Sequence, residues 1–198
     1  MTIFSIYPEI EQHLMHDEMP SVYLNSIYDM LSQYPFDMLH RLRHTEQSPQ
    51  HHPEGNVWNH TLLVVDEAAK VRQLSRDPYV FVWAALLHDI GKPATTRIRK
   101  GKITAYDHDK AGAELSKEFL QQFSDDGGFI QKVSDLIRYH MQMLFVLNNL
   151  PYSDIRGMKR HTDMQEVALL CYCDRMGRTN SDRNKEETNM RLFLDKCK

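Results

Sequence analysis

Long hydrophobic runs are missing from this chain. The longest apolar stretch, Val80 to Leu87, falls far short of the roughly 20 residues that a bilayer-spanning helix requires. Cysteine is scarce: Cys171, Cys173 and Cys197 form no C-x-x-C pair and leave an odd thiol. That pattern fits a reducing compartment better than a disulfide framework. Charge of one sign is not in excess either. Lys and Arg number 24 against 27 Asp and Glu, a formal net charge of −3. Whole-molecule electrostatics therefore give no reason to expect nucleic-acid binding. Met1 to Pro8 carries no basic region, so no secretory signal is expected and the protein is expected in the cytoplasm. No internal repeat and no low-complexity segment interrupts the sequence.

What remains is an ordinary globular composition, 41% hydrophobic and 26% charged, with enough apolar residue for one core. The fold class expected is all-α. Val22, Leu24, Ile27, Leu31, Met38, Leu39 and Leu42 recur at helical spacing over about 21–43, broken near Tyr34-Pro35. After a loop from Thr45 to Asn56, a helix is expected over about 59–74. Asp77-Pro78 starts the next, with a capping aspartate and a proline at the first position. It runs to His88-Asp89 and stops at Gly91, with Pro93 just beyond. Residues 95–106 read as a small β-hairpin or an irregular loop around Lys100-Gly101. Further helices fit 109–123, 128–141 and about 162–175. A break falls at 148–153, and the tail from Thr179 ends in an apolar patch at Met190, Leu192, Phe193 and Leu194 that fits a terminal helix.

Chemistry enters at Leu87-His88-Asp89-Ile90-Gly91-Lys92-Pro93, which closes the apolar run. A buried His-Asp pair costs several kcal/mol unless something pairs with it. A divalent metal satisfies both groups at once. Other donors stand along the chain: His60, His108, His140 and Asp174. His140 continues the stripe of Val133, Leu136 and Ile137. Asp174 continues that of Val167, Leu170 and Cys171. A carboxylate on a core-facing stripe pairs with a cation, caps a backbone group or binds metal. Cys171 and Cys173 flank Asp174 and are soft alternatives, though the nearby nitrogen and oxygen donors make a better hard site.

The ordered set His60, His88-Asp89, His108, His140, Asp174 resembles the HD superfamily of metal-dependent phosphohydrolases, over about 49–178. The stretches His52-Pro53-Glu54-Gly55-Asn56-Val57-Trp58-Asn59-His60-Thr61, Tyr106-Asp107-His108-Asp109-Lys110-Ala111-Gly112-Ala113 and Asp174-Arg175-Met176-Gly177-Arg178 are similar to the HD module of bacterial tRNA CCA-adding nucleotidyltransferases. The resemblance does not extend to the nucleotidyltransferase head domain and its paired catalytic carboxylates, so CCA addition by that chemistry is not expected. It implies an HD helical bundle over 49–178, an N-terminal helical extension over 1–48 and a C-terminal tail or helix over 179–198. It also implies one metal on His60, His88, Asp89 and Asp174, and a second on His108, His140 and a bridging Asp89. Iron, manganese, nickel, cobalt and zinc all suit such donors.

Further candidate roles stand beside the resemblance, which supplies the role of Lys92; the arginines also read as solvated surface charges, and the His52–Glu54 loop as one that shapes the helix entry. Asp89 and Lys92 are the candidate catalytic residues, with Lys92 contacting a substrate phosphate; by itself Lys92 also reads as a cation favoured at a helix C-terminus. No carboxylate lies between Asp89 and Lys92, which points away from deoxynucleotidase-like and (p)ppGpp-hydrolase-like chemistry. Lys92, Arg97, Arg175 and Arg178 are candidate substrate-binding residues, with Arg99, Lys100 and Lys102 beside Arg97. His52 and Glu54 are candidates for orienting the metal-binding histidines. The function expected is metal-dependent hydrolysis of a nucleotide or nucleotide-like phosphoester. The alternatives are a dinuclear iron oxygenase similar to the inositol oxygenase group and a non-catalytic nucleotide- or tRNA-binding module.

Overall fold

The computed structural model describes residues 3–198; Met1 and Thr2, which open the expected 1–48 extension, lie outside the described residues. The chain begins with α1 (Ile3–His16) and α2 (Pro20–Ser26). A 3-10 turn over Tyr28–Ser32, the short α3 (Asp37–His40) and a second 3-10 turn over Arg41–His44 follow. The recurrence over 21–43 is thus divided into short pieces; Pro35, which supplies no N–H and disfavours helical backbone at Tyr34, accounts for the break between Ser32 and Asp37. Asn56 caps α4 (Val57–Val71), accepting from the Asn59 N–H at 2.9 Å. A 3-10 turn over Arg72–Leu74 precedes α5 (Pro78–Leu87), which Asp77 caps at the Val80 N–H, as its Asp-Pro start signal predicts.

After α6 (Lys92–Thr95), residues 97–104 form a two-stranded antiparallel hairpin, β1 (Arg97–Arg99) and β2 (Lys102–Thr104), with Ile98 opposite Ile103. The turn residues Lys100 and Gly101 have φ of 50° and 72°, the pairing of positive φ values that a two-residue type I′ turn requires. Of the two readings of 95–106, the hairpin is the one observed. Then come α7 (His108–Leu120), α8 (Gly127–Tyr139), α9 (Gln142–Leu147), α10 (Ile155–His161), α11 (Met164–Met176) and α12 (Arg183–Lys196). Asp126, Asp154, Asp163 and Asp182 cap α8, α10, α11 and α12, each cap being worth about 1 kcal/mol. The break expected over 148–153 lies between α9 and α10, two helices too short to show a period.

Every side chain of α5 from Val80 to Leu87 is buried. A helix apolar all round has to be surrounded, and α1, α4, α8 and α11 pack around it. The N-terminal segment shares this core: the Tyr7 ring stacks on Trp83 at 4.6 Å and on Phe123 at 4.5 Å. Asp66 of α4 accepts from the Ser21 N–H at 3.0 Å and the Ser21 hydroxyl at 2.6 Å, tying α2 to α4. At the other end α12 lies on α11 and α9. Phe193 is fully buried while Leu192 points outward, so only part of the terminal apolar patch faces the core. Among the described residues, no helix is long and apolar enough to cross a membrane.

Arg175 holds α12 through a bidentate contact, its Nε and, at 3.1 Å, Nη2 donating to the Glu186 carboxylate. Burial opposes ionisation of Glu186, but these hydrogen bonds hold its carboxyl below the usual value of 4.5. The pair's contribution is therefore complete above pH 4.5 and fades as pH falls below it towards the folded-state pKa. Glu186→Gln is expected to lower the urea midpoint at pH 7 and to flatten the loss of stability on acidification. An unchanged midpoint at neutral pH would show that the pair contributes nothing.

Candidate metal centre

The candidate ligands sit mostly at helix ends, and this fixes their orientation. His88 follows the last residue of α5, His140 follows the last residue of α8, and His108 opens α7. The last turn of a helix has carbonyls without a helical partner. His88 Nδ1 donates to the Ala85 carbonyl at 2.8 Å, and His140 Nδ1 to the Ile137 carbonyl at 2.6 Å. His108 Nδ1 donates likewise to the Ala105 carbonyl at 2.7 Å. With each Nδ1 proton committed to a carbonyl, the three Nε2 lone pairs face inward.

They converge on Asp89. Its Oδ1 lies 3.5 Å from His108 Nε2 and 3.9 Å from His140 Nε2. Its Oδ2 lies 3.3 Å from His88 Nε2 and 3.9 Å from His60 Nε2. His60, on α4, contacts Asp174 Oδ1 through Nε2 at 3.0 Å, with Glu54 Oε1 2.8 Å from its Nδ1. Glu54 also accepts from His52 Nδ1 at 2.9 Å. The donor atoms of His60, His88 and Asp174 form one compact buried group, and those of Asp89, His108 and His140 form another. Both could hold a metal ion. All six residues lie in the interior.

Two observations test the fit to a cation. His88 Nε2 is buried and makes no hydrogen bond, a costly state for a polar atom without a partner. His108 Nε2 and His140 Nε2 stand 3.2 Å apart. Since both Nδ1 protons are committed to carbonyls, the two lone pairs oppose each other unless a positive charge sits near them. Nitrogen and carboxylate donors of this kind match a divalent transition ion.

The charges agree. Burial would raise the Asp89 pKa, but Lys92, His88 and His108 hold the carboxyl well below the usual carboxylate range. Asp174 is also held low, with Arg178 and His60 outweighing burial. Burial lowers the His140 pKa to about 4 and pushes His108 down as well, so both are neutral, as ligands must be. His60 differs: burial would lower its pKa, but the Asp174 hydrogen bond and the nearby Glu54 carboxylate raise it, so a metal at its Nε2 would displace a proton.

Asp89, His108, His140 and Asp174 form the floor of a cleft of about 850 Å³. Lys92, His52 and Arg178 also line it. Lys92 Nζ is 2.6 Å from Asp89 Oδ2 and donates to Gln47 Oε1. Arg178 Nη2 is 3.6 Å from Asp174 Oδ1. Two expected substrate-binding residues lie elsewhere. Arg175 is turned to Glu186 on α12, because that carboxylate offers a bidentate partner. Arg97 is exposed on β1, bonded to the Thr96 carbonyl, and its hairpin neighbour Arg99 lines the cleft instead. The thiols are not part of either group: burial pushes Cys171 up to about 12 and Cys173 well above its usual value, and Cys171 Sγ donates to the His140 carbonyl.

Three residues escaped the sequence reading. Gln47 holds Lys92 from a loop with no period. Arg138 and Asp109 form an ion pair between α8 and α7, each within two residues of a candidate ligand. Gly91 is also demanded by space: a Cβ there would lie 2.2 Å from the His108 carbonyl oxygen and 2.5 Å from Gly112 N. Only glycine lets the His88-Asp89 turn approach α7 this closely.

The sequence profile of the HD domain matches residues 57–178. This chain belongs to the HD-domain family. The chain is also 31% identical over 154 residues to the Multifunctional CCA protein of Methylococcus capsulatus, across 72% of the chain and 34% of that protein. It is 28% identical over 182 residues to the Multifunctional CCA protein of Pseudomonas fluorescens, across 87% of the chain and 42% of that protein. A shorter match, 36% over 64 residues, links it to the A-adding tRNA nucleotidyltransferase of Deinococcus radiodurans, across 31% of the chain and 15% of that protein. The HD chain thus spans less than half the length of these curated relatives.

Three residues before the HD-domain match, Glu54 places its carboxylate 2.8 Å from Nδ1 of the His60 ring, a contact that in a metal site orients the imidazole. Glu54→Gln keeps the shape and removes the charge. It is expected to weaken manganese or nickel binding about 10- to 100-fold, the usual cost of losing such a partner, measured by titration of the metal-stripped protein. Unchanged affinity would show that Glu54 serves only the loop.

Proposed function

We propose that this HD protein is a metal-dependent phosphoester hydrolase acting on a nucleotide or nucleotide-like substrate. The observation that carries the reading is the convergence of His60, His88, His108, His140, Asp174 and Asp89 beneath an open cleft, with Lys92 alongside. His60, His88 and Asp174, with Asp89, would hold one divalent ion; His108 and His140 would hold a second, with Asp89 between them. Such an ion polarises a phosphoryl oxygen and lowers the pKa of a bound water.

The chain's own residues supply the rest. Lys92, held by Gln47 and Asp89, offers a fixed ammonium to a phosphate oxygen whose charge grows in the transition state. Arg178 adds a planar donor at the wall of the cleft, and Arg138, anchored by Asp109, adds another. Burial drives the His52 pKa down to about 4. With its Nδ1 engaged by Glu54, neutral His52 leaves Nε2 to accept from a substrate hydroxyl. The relatives support the substrate class through their names, one of which specifies tRNA.

Elemental analysis of protein purified without chelator is expected to find up to two transition ions per chain. Hydrolysis of cyclic nucleotides, nucleoside monophosphates or aryl phosphates is expected with manganese, nickel or iron. Asp89→Ala is expected to abolish both metal content and turnover. Lys92→Ala should keep the metal and lose about 100-fold in rate, the scale for removing one donor to developing charge. Equal metal loss in Lys92→Ala would make that lysine a support for Asp89. Silence across the panel with oxygen uptake on a cyclic polyol would move the protein to dinuclear iron oxygenase chemistry. A protein that takes up no metal would be a binding module.

A further inference from the structure

The cleft is much larger than a phosphoryl group needs. At about 30 Å³ per water, its volume of about 850 Å³ exceeds one phosphate and its shell, and falls in the range of small-molecule sites. Its lining carries charged side chains, among them Asp89, Lys92, Arg138 and Arg178. A different wall, formed by Leu144, Phe145, Leu150, Pro151 and Tyr152, carries none of the candidate chemistry.

This wall is aromatic and held in place. Tyr152 is 61% exposed although it lines the cleft. Its ring centroid lies 5.6 Å from that of half-buried Phe145, with the planes at 59°. Buried Gln142 pins the turn from both sides: its Oε1 accepts from the Asp154 N–H at 2.7 Å, and its Nε2 donates to the Tyr152 carbonyl at 3.4 Å. The Leu150 N–H also donates to the Phe145 carbonyl at 2.8 Å, closing the turn on α9. Phe145 is five residues beyond His140, so the chain allows at most about 18 Å between them. An exposed aromatic face on a fixed turn, in the same cleft as a cationic and metal-binding floor, matches a molecule with a phosphate at one end and a planar ring at the other.

We infer that the Phe145–Tyr152 wall is a base-binding subsite, with Tyr152 stacking on the base of a nucleotide whose phosphoester lies at the Asp89–Lys92 floor. This rests on the hydrolase reading for the phosphate end and adds the recognition of the base. The base belongs either to a free mononucleotide or to the terminal nucleotide of an RNA; stacking is common to both.

The test compares adenosine 5′-monophosphate with ribose 5-phosphate, the same phosphoester without a base, in the metal-loaded full chain. The wild type is expected to prefer the nucleotide. Tyr152→Ala should reduce that preference, as a ratio of kcat/KM values, by about 5- to 150-fold, the range for loss of one base–aromatic stack. Tyr152→Phe should restore it. Equal activity of the wild type on both compounds, or an unchanged ratio in Tyr152→Ala, would overturn the subsite. If neither compound is hydrolysed, binding alone decides: calorimetric titration with adenosine 5′-monophosphate and with a single-stranded RNA trimer. Weaker binding of either by Tyr152→Ala, rescued by Tyr152→Phe, supports the subsite, and the tighter ligand identifies its source. No binding of either, or binding indifferent to Tyr152, overturns it.

Discussion

Asp89 is an ionised carboxylate at the end of an apolar helix in the middle of a bundle. Taking such a charge out of water costs several kcal/mol even after relaxation. Lys92 offsets part of that cost, and the imidazole nitrogens brought around Asp89 from four helix segments fit a bound cation that would offset more of it. His88 and Lys92 are local to Asp89, but His60, His108 and His140 are far from it in sequence, so the full set assembles only when α4, α5, α7 and α8 are packed together. The dependence runs both ways: the packing of α5 forces Asp89 inside, and Asp89 makes the arrangement around it specific.

Orientation of the site comes from unsatisfied backbone groups as much as from side chains. A histidine placed just past a helix end finds a free carbonyl three residues back, and bonding to it points the opposite ring nitrogen away from the helix. His88 and His140 both do this, and His108 does so against the Ala105 carbonyl of the preceding turn. Bundle geometry then aims these nitrogens at one another. His60 differs because it lies within α4, where the carbonyls are used. Its ring is held between two carboxylates, Glu54 and Asp174. The same ring orientation is achieved by charge where backbone partners are lacking.

This explains what could be read in advance. The all-helical class, the Asp77-Pro78 start, the Gly91 stop and the positions of His140 and Asp174 on apolar stripes are local or periodic features, and a linear sequence carries them directly. The hairpin at 97–104 was legible only as one of two options, since Lys100-Gly101 permits the turn without requiring it. Short elements were not legible: α9 and α10 have six and seven residues, too few for a period to emerge. Nor were partners joined only in space. Arg175 looked like a free cation after Asp174 until Glu186 was seen to fold back onto it. Arg97 and Arg99 are indistinguishable by composition and, two residues apart on β1, share one face of it; only Arg99, at the turn end of the strand, lines the cleft. Gln47 contacts Lys92 across 45 positions, and nothing in its own loop marks it.

Net charge describes the whole surface and says little about one cleft. The whole chain is slightly acidic at −3, yet Lys92, Arg99, Arg138 and Arg178 all line one cleft. At physiological ionic strength charges act over about 8 Å, so an anion in the cleft responds to those cations and to the floor, and hardly at all to acidic groups on the far surface. Several of the cations are committed as well: Arg138 to Asp109 and Arg178 to Asp174. Each is thereby held in place before any ligand arrives, which reduces the entropy lost on binding. A phosphate entering beside Asp174 would compete with one of these pairs. A small, preorganised group of paired cations suits one phosphoester end better than a long polyanion, for which a broad unpaired basic surface would be required. The cleft therefore combines a charged end suited to a single phosphoryl group with an aromatic wall that offers no charge at all.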